Sequence, residues 1–160
     1  MEVWPWLVQI GQARGGFYSY SWLENLLGCD IHNADRILPE FQTLKAGDTI
    51  RLHPKAPPIP VALVGPGRAL VLHGRPNPEV DQQYEVKFTK PGNYVASSWA
   101  FVLDPLDERT TRLLVRFRMD YDPTFGNKLA FRAMLEPIHF VMQRKMLLGI
   151  KQRAEAAAKK

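Results

Sequence analysis

Apolar and polar positions along this chain change period twice, dividing it into a helical front, a β middle and a helical back. Val3–Ile10 is a short apolar segment in which Pro5 suits a first helical turn, since its nitrogen has no proton for an interior hydrogen bond. Gly11–Gly16 predicts a turn, and Tyr20–Leu27 a second short helix that Gly28 can close. Asn33 or Asp35 predicts a capped turn before Pro39. Thr49–His53 then alternates, with Ile50 and Leu52 on one face and Arg51 and His53 on the other. Pro60–Val64 and Ala69–His73 predict a hairpin about Gly65-Pro66-Gly67-Arg68. After a loop at Arg75–Pro78, Tyr84–Phe88 predicts a further strand, and Ser97–Leu103 with Thr111–Tyr121 a second hairpin across Asp104–Glu108.

Thr111–Tyr121 alternates most clearly. Leu113, Val115, Phe117 and Met119 share one face, and Arg112, Arg116 and Arg118 the other. Such an arginine row reads as a solvated outer face that discourages edge pairing, with an anion site as the alternative. From Asn127 to Ile150 the period becomes helical, and Phe131, Met134, Leu135, Ile138, Val141, Met142, the Lys145 stem and Met146 form a broad stripe. Pro137 inside that run predicts a kink or a division of the helix near Leu135. Helices, antiparallel meander and long helix in that order predict an α+β fold with the helix laid across one face of the sheet.

Composition narrows the class without changing this picture. The 160 residues, 46% hydrophobic and 23% charged, suit one domain spanning 1–160. No apolar run approaches the ~18–20 residues of a membrane span, and no signal-peptide pattern opens the chain. Cys29 is the single cysteine, which excludes an internal disulfide and a cysteine-based zinc site and is expected of a cytoplasmic protein. Beside Leu26 and Leu27 it reads as inert core. The net charge of +5 is spread along the chain, and the basic tail complements a helix C-terminus, so nucleic acid is not an expected partner.

Candidate chemistry is sparse. Gly11–Gly16 lacks the Gly-Lys-Ser/Thr ending of a phosphate loop. The four histidines, His32, His53, His73 and His139, do not stand at metal spacing, and no metal or cofactor is expected. His139, near Pro137, is the one that could point into a cavity. Asp35 and Arg36, with His32 nearby, could position a ligand carboxylate or carbonyl at a cavity mouth, against the simpler reading of a helix cap. Tyr18, Ser19 and Tyr20 offer hydroxyls without an adjacent base, so no nucleophile is defined. Trp99, Phe101, Phe117, Met119, Phe131, Met134, Ile138, Met142 and Met146 would serve equally as a cavity wall or a solid core.

Several stretches resemble the START-like helix-grip superfamily of polyketide cyclases, dehydrases and lipid-transport proteins. They are Val3-Trp4-Pro5-Trp6-Leu7-Val8-Gln9, Arg14-Gly15-Gly16-Phe17-Tyr18-Ser19-Tyr20, Trp22-Leu23-Glu24-Asn25, Ile31–Ile37, Ser98–Leu103 and His139–Leu147. The likeness covers most of the chain except Asn77–Tyr94. It implies a curved antiparallel sheet gripping a long C-terminal helix, with a cavity between them. In that scheme Met1–Ile10 reads as the middle of a domain, and a first strand beside Thr111–Tyr121 is missing. That edge is then expected to be supplied by a longer chain, covered by this one, or paired in a homodimer. The implied function is non-catalytic binding of a hydrophobic small molecule or lipid, oriented by Tyr18, Asp35, Arg36 and His139. The alternative is a polyketide cyclase-like enzyme in the same cavity, with His139 and Asp35 as its acid–base groups.

Overall fold

The computed structural model describes residues 2–75 and 95–159, and within them every side chain except that of Met134. Two short helices, α1 (Trp4–Val8) and α2 (Ser21–Leu26), come first, followed by a 3₁₀ turn at Pro39–Phe41. Five strands follow: β1 (Thr49–Ile50), β2 (Ile59–Gly65), β3 (Ala69–Gly74), β4 (Val95–Pro105) and β5 (Thr111–Tyr121). They pair antiparallel in chain order. The back of the chain is helical throughout: α3 (Phe125–Leu129), a π-wound segment Ala130–Leu135, and α4 (Glu136–Ala157). The α+β class expected from the pattern is therefore present, as a five-stranded antiparallel sheet with a C-terminal helix. No helix among the described residues is long and apolar enough to cross a membrane.

Alternation predicts the sheet well. Leu70 and Leu72 of β3, and Trp99, Phe101 and Leu103 of β4, are buried on the inner face, with Val61 of β2 beside them. β5 shows strict alternation, its arginines exposed and Leu113, Val115, Phe117 and Met119 half-buried. Among the described residues β5 has a strand partner on its β4 side alone. The predicted strand Tyr84–Phe88 lies outside the described residues.

Three readings need correction. Thr49–His53 pairs over Thr49–Ile50 only. Pro54, Pro57 and Pro58 follow and cannot donate to a ladder, while His53 Nδ1 takes the Lys55 amide proton at 3.0 Å. Asn33 and Asp35 cap no helix. The Asn33 Oδ1 accepts from the amides of Phe17 (3.1 Å) and Tyr18 (2.6 Å), its Nδ2 donates to Ser19 O (3.2 Å), and Asp35 Oδ1 accepts from Arg153 Nη2 (2.7 Å). The apolar stripe of the long helix is also shorter than its sequence. Met146, Gly149, Ile150 and Ala154 are buried at helical spacing, whereas Leu135, Ile138 and Val141 are exposed. Pro137 divides the helix as predicted, because α4 starts at Glu136, directly after the π-wound segment.

Side-chain amides organise the irregular front. Gln9 is fully buried: its Nε2 donates to Arg36 O, and its Oε1 accepts from the Leu38 amide and Gln42 Nε2. Asn25 brackets Ile31 in the same way, donating to its carbonyl and accepting from its amide. The predicted glycine turn is a two-way bridge in which the amides of Gly11 and Gly16 each donate to the other's carbonyl. Tyr18 is held with φ +57°, a left-handed backbone that a side chain makes costly, of order 1–3 kcal/mol. Its carbonyl oxygen lies against Gly149 so closely that an added Cβ would be under 3 Å away.

Replacing Gly149 by Ala should lower stability by about 1–3 kcal/mol through overpacking, against the roughly 1 kcal/mol that Ala gains over Gly in a helix interior. Gly126→Ala, which meets open space, should be neutral or stabilising. Urea unfolding of the two variants checks this, and equal behaviour would refute the close contact as a constraint.

A second expectation concerns α2. Glu24 Oε2 is buried without a hydrogen-bond partner among the described residues, and burial pushes its carboxyl from 4.5 up to about 7. Between those values the folded protein keeps a proton that the unfolded chain has released. Stability therefore falls as pH rises through that window. Because Glu24 is only partly buried, solvent screening reduces the effect to about 1 kcal/mol. Glu24→Gln should raise Tm by about 2–4 °C at pH 8 and change it little at pH 4.

Candidate functional site

The inner face of the sheet meets the long helix through rings. Register places Trp99 of β4 between Leu72 of β3 and Phe117 of β5. Around the Trp99 indole stand Phe101 at 4.9 Å, Phe17 at 6.2 Å and Phe117 at 6.2 Å between centroids. From the helix, His139 lies 4.2 Å above Phe117, tilted by 30°, and 6.1 Å from Trp99. Farther along, Phe131 stacks on Tyr121 at 4.3 Å. Where Trp99 is buried, its neighbours on β5 and the helix are half-buried, so the helix covers this end of the sheet incompletely.

Polar groups in this cluster are few and specific. The Trp99 indole N–H is buried and has no hydrogen-bond partner among the described residues. An unmade hydrogen bond at such a site costs about 1–3 kcal/mol, so the N–H is a donor in want of an acceptor. His139 Nε2 stands 3.1 Å from Gln143 Oε1, one turn along α4, which makes Nε2–H the donor and leaves Nδ1 as an acceptor. Burial pushes the imidazole below its ordinary value, and the Gln143 bond offsets only part of that shift. His139 is therefore neutral near pH 7. Ser19 Oγ closes the cluster, donating to Met142 O at 3.0 Å with Met142 Sδ 3.6 Å away.

Seven of the residues selected from sequence belong to this layer: Trp99, Phe101, Phe117, Met119, Phe131, His139 and Met142. The Met134 side chain lies outside the described residues. Ile138 is exposed. The other three stand elsewhere. Tyr18 is a core residue whose hydroxyl donates to Trp6 O at 3.1 Å, and burial pushes it up to about 12, so it is neither free nor acidic. Asp35 is exposed and paired with Arg153, and Arg36 is exposed with its carbonyl taken by Gln9. The structure does not bring Asp35 together with His139. Sequence reasoning missed Gln143, although its i+4 spacing from His139 was readable, and Phe17, whose place depends on the Asn33 bonds.

At the ends of β3, β4 and β5 lies an open cleft of about 630 Å³ bordered by His73, Arg75, Ala96, Ser97, Ser98, Arg118, Met119 and Asp120. No three His, Cys, Asp or Glu side chains among the described residues stand together as metal ligands. Compared with protein-family models, curated proteins and solved structures, the chain matches none.

Proposed function

We propose that this protein binds a hydrophobic small molecule or lipid between the inner face of the sheet and the C-terminal helix, in a helix-grip arrangement and without catalysis. The observation that carries this reading is the Trp99 indole N–H, buried among rings beside a half-covered apolar face and lacking an acceptor among the described residues. A ligand with an apolar body and one carbonyl or hydroxyl oxygen would bury that face and satisfy the donor. Apolar burial contributes about 25 cal/mol per Å² before the costs of association are subtracted. Neutral His139 fits the same environment, because a charged imidazole would oppose an apolar ligand. The cyclase alternative has less support, since the acid–base partner it assigns to His139 sits with Arg153 instead.

A neutral fluorescent probe such as N-phenyl-1-naphthylamine should bind saturably at one site, change tryptophan emission and raise Tm. Phe117→Ala should alter its affinity several-fold, while Phe125→Ala, far out in solvent at 84% exposure, should not. The His139 ring protons, followed by NMR, should titrate below 6.5 in the free protein and lower still with ligand bound. A broad lipid and dye panel with no thermal shift, together with no co-purified ligand in native mass spectra, would sink the proposal.

A further inference from the structure

The cleft at the ends of β3, β4 and β5 shares only Met119 with the layer described above, and strand register builds its polar wall. His73 pairs with Ser98 across β3 and β4, and Ser98 with Arg118 across β4 and β5. Three side chains from three strands thus stand in one row on one face. Arg75, one residue past β3, turns back so that its Nε donates to His73 Nε2 at 2.8 Å. That bond sets the imidazole. Nε2 must present a lone pair, so the ring proton is on Nδ1 and the ring offers a second donor beyond the arginine.

Along the wall the donors run from the remaining guanidinium N–H groups of Arg75 through His73 Nδ1–H and the Ser98 hydroxyl to the guanidinium of Arg118. Arginines on an open strand face are ordinarily a solvated surface. Here one of them shares a concave wall with a second arginine, a hydroxyl and an imidazole whose tautomer is set. Planar guanidinium groups match the oxygens of an oxyanion. A phosphoryl group offers three oxygens to donors from three strands, where a carboxylate offers two. Asp120, in the next row opposite Ala96, also borders the cleft. The volume of about 630 Å³ exceeds an inorganic ion and falls within the ~300–1,000 Å³ range of small-molecule sites.

We infer that this cleft binds a small phosphomonoester, its phosphoryl group on the His73–Ser98–Arg118 row and its carbon skeleton in the remaining volume of the cleft. The inference is independent of the ligand proposed for the inner face.

Isothermal titration with glycerol 3-phosphate and with inorganic phosphate, at constant ionic strength, tests it on the intact chain. Glycerol 3-phosphate should bind saturably at one site and more tightly than inorganic phosphate. Arg118→Gln should weaken it about tenfold, the loss of one charge-assisted contact. Ser98→Ala should weaken it several-fold. Arg112→Gln should leave it within about twofold, because Arg112 lies on the same strand and face but pairs with Asp104 at 3.5 Å. Equal losses in Arg118→Gln and Arg112→Gln would reduce the effect to general surface charge and overturn the site. Absence of saturable binding would overturn it too, and inorganic phosphate binding as tightly as the ester would overturn the ester assignment.

Discussion

Everything in this molecule turns on Tyr18 pressed against Gly149. The residue is held on four sides: Asn33 takes its amide proton, Trp6 takes its hydroxyl proton, the Arg153 guanidinium lies 4.9 Å from its ring, and its carbonyl rests on the bare Cα of the helix. The left-handed backbone at Tyr18 costs free energy, so it persists because these partners over-determine it. Arg153 extends the lock, donating to Ala34 O and Asp35 Oδ1 while its guanidinium lies near Trp6 as well. The front of the chain and the rear half of α4 are thereby fixed to one another without a long shared interface. Both Tyr18 and Asp35 thus have structural partners, Trp6 O for the Tyr18 hydroxyl and Arg153 for Asp35 Oδ1.

Much of the architecture was legible in the sequence, because period-two alternation survives wherever a strand buries one face. β3, β4 and β5 came out nearly at their true bounds, as did the hairpin at Gly65–Arg68 and the glycine after α2, where Gly28 takes φ +77°. What was not legible has no period. Gln9, Asn25 and Asn33 act by bonding the backbone of other segments, Gln9 across 29 residues to Leu38, and no local pattern announces such a bond. Asn33 near a proline reads as a turn former until its actual partners, Phe17 and Tyr18, are known. The inner-face site was partly legible because aromatic residues on alternating positions must face inward together. The polar row behind the cleft was not. Ser98 and His73 join Arg118 only through register, which composition and alternation leave open.

The sheet consequently has two chemically distinct faces built from the same three strands. Inward, Leu72, Trp99 and Phe117 form one row; a single residue away, His73, Ser98 and Arg118 form the other. A one-residue slip of β5 against β4 would exchange its faces, pushing Arg118 toward the core and Phe117 into water. The penalty for burying an unpaired guanidinium is several kcal/mol, so the two rows hold each other in register. The two faces are therefore not separate decorations on a neutral scaffold. Each depends on the alternation that the other enforces.

The helix that covers the inner face is anchored unequally. Its rear half contributes Met146, Ile150 and Ala154 to the core and carries the Gly149 contact. Its front half touches the sheet through His139 on Phe117 and Phe131 on Tyr121, while Phe125, Ile138, Phe140 and Val141 remain exposed. Between Phe131 and His139 lie the end of the π-wound segment and Pro137, where the regular hydrogen-bond ladder is interrupted. Moving the front half away from the sheet disrupts a few ring contacts, whereas moving the rear half disrupts the core and the Tyr18 lock. Any space opened beside Trp99 must therefore come from the front half. The same unequal anchoring accounts for the over-long stripe read from sequence, since an apolar helix face is buried only as far as the sheet and the front segment reach.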